Sequence, residues 1–190
     1  MHSRAPLFAE PLAAAAIEWA CALTATALSD GLPYPRLHAA LSAVLDAVEA
    51  APAARGWTAA LARYELLVLA ELGFGLDLSR CAATGLSDDL RYVSPRTGRA
   101  VSGEAGEAYR DRLLALPVFL GGVSAEGQPD NGIASGLALT GHFLAAQVFA
   151  PFNRPPPPAR DRLVARLAMR GLAVFETPDD EVPAANGGTA

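Results

Sequence analysis

Apolar residues recur at helical spacing along most of the chain. From Leu7 to Ser29 an alanine-rich run offers Leu12, Ile17, Leu23 and Leu28 for burial, and Asp30-Gly31 ends it. Pro33 and Pro35 bracket a turn. Leu37, Leu41, Val44, Leu45 and Val48 then predict a second helix to about Glu49, and residues 51–56 connect it to a third. That third helix, Trp57 to Leu72, carries Leu61, Tyr64, Leu66, Leu67, Val68, Leu69 and Leu72 almost all round its surface. Such a pattern belongs to a helix buried on more than one side. Gly73 can end it, and Gly75 keeps the next turn open.

The rhythm changes over residues 74–105. Pro95-Arg96-Thr97-Gly98 is a turn signal between Leu90-Arg91-Tyr92-Val93 and Arg99-Ala100-Val101, which predicts a small hairpin. A helix is expected from Ser102 to Ala115, broken by Pro117, with an apolar bridge over Val118–Val123 and a polar loop over Ser124–Gly132. Ile133–Phe149 returns to helical spacing, with Leu137, Phe143, Leu144 and Val148 for packing. Pro155–Pro158 is a stiff extended spacer, and Arg160–Arg170 a final helix stopped at Gly171. The fold class expected is mostly α: a helical bundle over residues 1–175 with a small β-hairpin inserted at 74–105, followed by a tail, 176–190, with no core pattern and expected to be disordered.

Composition narrows the function. The chain of 190 residues is enough for about one domain, and 52% hydrophobic residues allow a substantial core. All 15 basic residues are arginine, and the net charge of −5 gives no global attraction to nucleic acid or an anionic membrane, so any contact with DNA needs a local patch. Two distant cysteines make no disulfide framework and point to the cytoplasm. Glu10, Pro11 and Glu18 interrupt the first apolar run against a secretory core, and no run reaches the roughly 20 uninterrupted apolar residues of a membrane span.

The insert has the outline of a zinc knuckle without its thiolates. Cys81-Ala82-Ala83-Thr84-Gly85 is shaped like a first half, with Thr84 where a second thiolate is needed. Gly98 to Ala105 has the outline of the second half, with Ser102 and Ala105 in the ligand places. An all-thiolate site needs four soft ligands, and Cys21 is far back in the sequence, so no metal or other cofactor is expected. Phosphate loops, triad spacing and paired carboxylates in a recognisable frame are missing from the sequence as well; the expectation is a protein that is not an enzyme.

Arg63-Tyr64-Glu65-Leu66, Leu69, Leu72-Gly73, Gly75, Leu76, Leu78 and Cys81 together resemble the helix-and-knuckle signature of the RecO family of bacterial DNA repair proteins. Tyr92-Val93-Ser94-Pro95, Gly98, Thr140-Gly141-His142-Phe143-Leu144 and Pro158-Ala159-Arg160-Asp161-Arg162-Leu163 extend the likeness, which runs from about Leu7 to Gly171. Family members begin with an OB-fold barrel of roughly 80 residues. This chain resembles the helical C-terminal part alone, and its Cys81, Thr84, Ser102 and Ala105 resemble a subfamily without zinc.

The resemblance implies a non-enzymatic recombination mediator of the RecF pathway. Its partners would be the C-terminal tail of single-stranded-DNA-binding protein (SSB), RecR, and single- and double-stranded DNA, its work strand annealing and RecA loading, and its place the cytoplasm at the nucleoid, with no membrane. The alternative is a protein-binding adaptor that no longer holds DNA because the barrel is missing. Arg63 either holds the acidic tail of SSB, with Tyr64, Leu67 and Leu69 lining a pocket for the tail's last phenylalanine, or caps a loop or pairs with an acid beside a stripe that is simply core. Arg160, Arg162 and Arg166, with Arg154 and Arg170, form a basic terminal segment that either contacts phosphates or is a solvated helix face. Arg91, Arg96 and Arg99 on the hairpin are a second such patch. Cys81 reads as a buried free thiol and His142 as a satisfied core histidine.

Overall fold

Pro11 lacks a backbone donor and suits a first helical turn, and helix α1 (Pro11–Ala27) starts on it. The computed structural model describes residues 10–50, 55–123 and 132–171. The helix start expected at Leu7, most of the connector at 51–56, nearly all of the polar loop and the tail at 176–190 lie outside the described residues. Helices α2 (Pro35–Ala50) and α3 (Arg55–Glu71) follow the apolar spacing to within two residues of expectation. Helix α3 packs against α2 and against α5 (Gly132–Phe143), while α1 packs against α6 (Ala159–Met169). Trp19, Trp57, Tyr64, Leu12, Leu23, Leu61 and Leu69 fill the space between them.

The insert is a hairpin with one strand more than expected. Strands β1 (Leu90–Val93) and β2 (Ala100–Ser102) pair antiparallel across the turn at 95–97, where Gly98 takes a φ of +65°. The helix expected over 102–115 is not there. A four-residue helix α4 (Gly103–Gly106) gives way to a 3-10 stretch (Glu107–Arg112), and the chain then extends as β3 (Leu114–Ala115) on the free side of β1. Its sequence offers no apolar stripe for a longer helix to bury: positions 107–112 are all exposed. Docking on β1 instead satisfies backbone groups of the strand.

Helix α5 runs on through a π-helical segment (Leu144–Phe149) and a 3-10 turn (Ala150–Phe152). The continuous helix of 21 residues is long and apolar enough to cross a membrane, against expectation, but half of its apolar window is buried inside the bundle. Its apolarity is therefore that of a core helix.

Candidate functional site

The bundle closes around one acid. Glu65 sits in the apolar run of α3 and is completely buried. Trp19 of α1 donates its indole N–H to Oε1 at 2.6 Å, the Thr140 hydroxyl of α5 donates to Oε2, and Arg160 of α6 places Nη2 3.7 Å from Oε2. The same guanidinium donates to the Leu137 carbonyl and lies 5.8 Å from the centre of the Trp19 ring. A Cβ on Gly141 would stand 2.3 Å from Arg160 Nη2, so the glycine makes room for the guanidinium. Four helices thus meet on a carboxyl group with two hydrogen-bond donors and a facing guanidinium, which together offset the desolvation of a buried charge. Sequence reasoning missed this centre; the available signal was a lone acid in a run of buried apolar residues.

The knuckle keeps its shape around a sulfur. Cys81 is fully buried; the Ser102 backbone N–H donates to Sγ at 3.3 Å, and Ser102 Oγ lies 3.4 Å from it. Burial pushes the Cys81 thiol up, but the side chains and backbone N–H groups of Ser102 and Thr84 together outweigh it and pull the thiol down to about 6. Gly85, at φ +74°, closes the turn back onto the Cys81 carbonyl. Three of the four expected frame positions, 81, 84 and 102, are therefore brought together around the sulfur. Among the described residues no group of three His, Cys, Asp or Glu side chains is placed to hold a metal ion.

Arg63 and Leu67 are one helical turn apart on the same side of α3, whereas Tyr64 points inward. Tyr64 is only 1% exposed, and its hydroxyl meets Thr24 Oγ1 at 2.6 Å; burial pushes its phenol up against the opposing pull of that bond. Leu69 is fully buried and Leu67 half-buried. The exposed Arg63 donates Nη2–H to the Phe119 carbonyl at 2.9 Å, and its guanidinium lies 5.7 Å from the centre of the Phe119 ring. That ring in turn packs on α5 where Gly136 has no side chain; a Cβ there would stand 2.5 Å from it. Val118, beside it, is 50% exposed. The guanidinium thus stands over an apolar shelf, the Phe119 ring, with the exposed Val118 next to it in sequence and the half-buried Leu67 one turn on along α3. Arg63 caps a turn and remains exposed to solvent.

The other arginines are mostly engaged within the chain. Arg91 pairs with Asp89, Arg99 with Asp77 at 3.6 Å, and Arg96 sits exposed in the hairpin turn without an ionic partner among the described residues. Two bonds from Ser79, side chain then backbone, and the Arg99 charge hold Asp77 below the usual carboxylate range. On α6, Arg160 turns in to Glu65, while Arg162 pairs with Glu18, Arg166 donates to the Pro11 carbonyl and Arg170 pairs with Glu10 at 3.3 Å. His142 is exposed rather than core: its Nε2 lies 3.2 Å from the Pro95 carbonyl, tying the hairpin turn to α5.

Residues 9–156 match the family model described as recombination protein O C terminal. The chain is 52% identical over 168 residues to DNA repair protein RecO of Phenylobacterium zucineum, covering 88% of this chain and 67% of that protein. Against DNA repair protein RecO of Caulobacter vibrioides strain NA1000 it is 51% identical over 163 residues, covering 85% and 65%, and against that of Rhodospirillum centenum 50% identical over 176 residues, covering 92% and 68%. The chain thus spans about two thirds of the length of these relatives. No solved structure is a significant match.

Proposed function

We propose that this chain, which belongs to the RecO family, works in DNA repair and recombination as a docking module rather than as a catalyst, in the cytoplasm where the chromosome lies. The observation that carries the reading is the Arg63 shelf. Its guanidinium is oriented before any partner arrives, by a carbonyl and a ring, and it stands over apolar surface. A fixed fork suits a carboxylate, and an apolar shelf suits an aromatic end group. An acidic peptide ending in phenylalanine, the tail of SSB, is the partner with that chemistry. Leu67 and Val118 supply the shelf. Tyr64, from its buried place, supports the helix that carries Arg63.

Calorimetry with an SSB tail peptide tests this. Arg63→Ala should weaken binding about tenfold, the scale of one charge-assisted contact, with helical content unchanged. Equal affinity in the two proteins removes Arg63 from the site.

A second face is favoured by a separate observation. Arg162 and Arg166 on α6 and Arg170 at its C-cap follow one another at four-residue spacing, and the pairs Arg162–Glu18 and Arg170–Glu10 are about half exposed. This stripe is the part of the molecule best suited to a phosphate backbone. Arg160 belongs to the buried centre and supports the helix from below. Engagement of RecR, strand annealing and assistance to RecA loading complete the proposed role. The adaptor reading, without DNA, stands if the stripe binds no oligonucleotide.

A further inference from the structure

We propose that Glu10 and Glu18 gate the arginine stripe of α6, holding it until a phosphodiester backbone displaces them; this rests on the reading of α6 as the nucleic-acid face. The register is matched rung for rung. Arg162 meets Glu18 and Arg170, at the C-cap of α6, meets Glu10, at the N-cap of α1; the two arginines and the two glutamates are each eight residues apart, with Arg166 between on the Pro11 carbonyl. Successive arginines stand about 6 Å apart along the helix axis.

Three guanidinium groups face two carboxylates, so the stripe keeps an unbalanced positive charge at Arg166. Both ion pairs are open to water: side-chain exposures are 48% and 52% for Arg162 and Glu18, and 50% and 49% for Arg170 and Glu10. Pairs this exposed are weak and screened by salt. They are not what holds α6 in place. Ala159, Leu163 and Leu167 are buried against the bundle, and Arg160 is anchored at Glu65. The stripe can therefore trade carboxylates for phosphates while the helix stays docked. A polyanion presents many charges in a row, which two separate carboxylates cannot match. For a chain of net charge −5, this arrangement also suppresses binding to weaker anions.

The test is fluorescence anisotropy of a labelled single-stranded oligonucleotide at about 50 mM and about 200 mM salt, on the full chain. Glu10→Gln with Glu18→Gln should tighten binding about fivefold at the lower salt, the scale of releasing two exposed ion pairs. Asp30→Asn with Asp111→Asn makes the same change in net charge elsewhere and should leave affinity within about twofold. Equal tightening by both variants reduces the effect to net charge and overturns the gate. An unchanged affinity in the Gln variant overturns it too. Tightening of the SSB tail peptide, with none of the oligonucleotide, assigns the stripe to a protein partner and overturns the proposal. If the natural chain binds no oligonucleotide but the Gln variant does, the gate is supported as closed at rest. If neither binds, the nucleic-acid reading of α6 fails, and the gate with it. Binding by the natural chain that the Gln pair does not alter leaves that reading standing while the gate falls.

Discussion

Glu65 in the bundle and Cys81 in the knuckle are both fully buried, yet their partners come from opposite distances along the chain. Glu65 takes hydrogen bonds from residues 46 and 75 positions away and faces a guanidinium farther still. Cys81 is served by Thr84, three residues on, and by Ser102, 21 residues on across the hairpin. The first centre exists only when four helices are assembled. The second is built within one lobe. The acid is also met by a countercharge, whereas the sulfur has only neutral donors. Disturbance of Glu65 should therefore be felt by the whole bundle, and disturbance of Cys81 should register as a dependence on pH.

The strongest way to break this contrast is Glu65→Ala. It leaves Arg160 buried without its acid and should cost about 3–5 kcal/mol in urea unfolding. Gly141→Ala pushes on the same guanidinium, so the double variant should cost less than the two single costs added together. A loss under about 1 kcal/mol for Glu65→Ala shows that the centre is not what joins the helices.

Cys81 gives the next effect. Its folded value of about 6 lies below the ordinary 9.0, so the thiolate contributes stability that is complete above about pH 9, shrinks as pH falls, and is gone once pH drops through about 6. Urea melts of the natural chain and of Cys81→Ala should converge as the buffer is acidified across that window. Curves that stay parallel would mean that the donors of Ser102 and Thr84 do not hold a thiolate.

The smallest effect belongs to the surface. Arg162→Ala should change stability by no more than about 1 kcal/mol, because its pair with Glu18 is half exposed. A cost of several kcal/mol would make the α6 stripe structural and unavailable to a partner.

How much of this was legible in the sequence follows the same division by distance. Helices α1, α2, α3 and α6 and the β1–β2 hairpin could be read because their signals are local, apolar spacing and the Pro95–Gly98 turn, although α1 starts at Pro11 and not at Leu7, with Glu10 extended before it. Strand β3 could not, since two residues carry no period and their partner is Tyr92-Val93, more than twenty residues earlier. The inward turn of Tyr64 against the outward one of Arg63 was hidden because α3 is apolar nearly all round. Arg160 could not be told from Arg162 by spacing or charge; only the assembled bundle sends one to Glu65 and the other to Glu18. The knuckle outline was visible in Cys81, Thr84 and Ser102, but the backbone N–H groups that join their side chains around the sulfur are not displayed by a sequence.

Amide chemical-shift mapping by NMR, on titration with an SSB tail peptide, tests the docking account most directly. The account predicts shifts gathered at residues 63–67 and 118–120, with α6 and the knuckle unmoved. Shifts confined to α6 or to the hairpin, or none at a saturating peptide concentration, would contradict it.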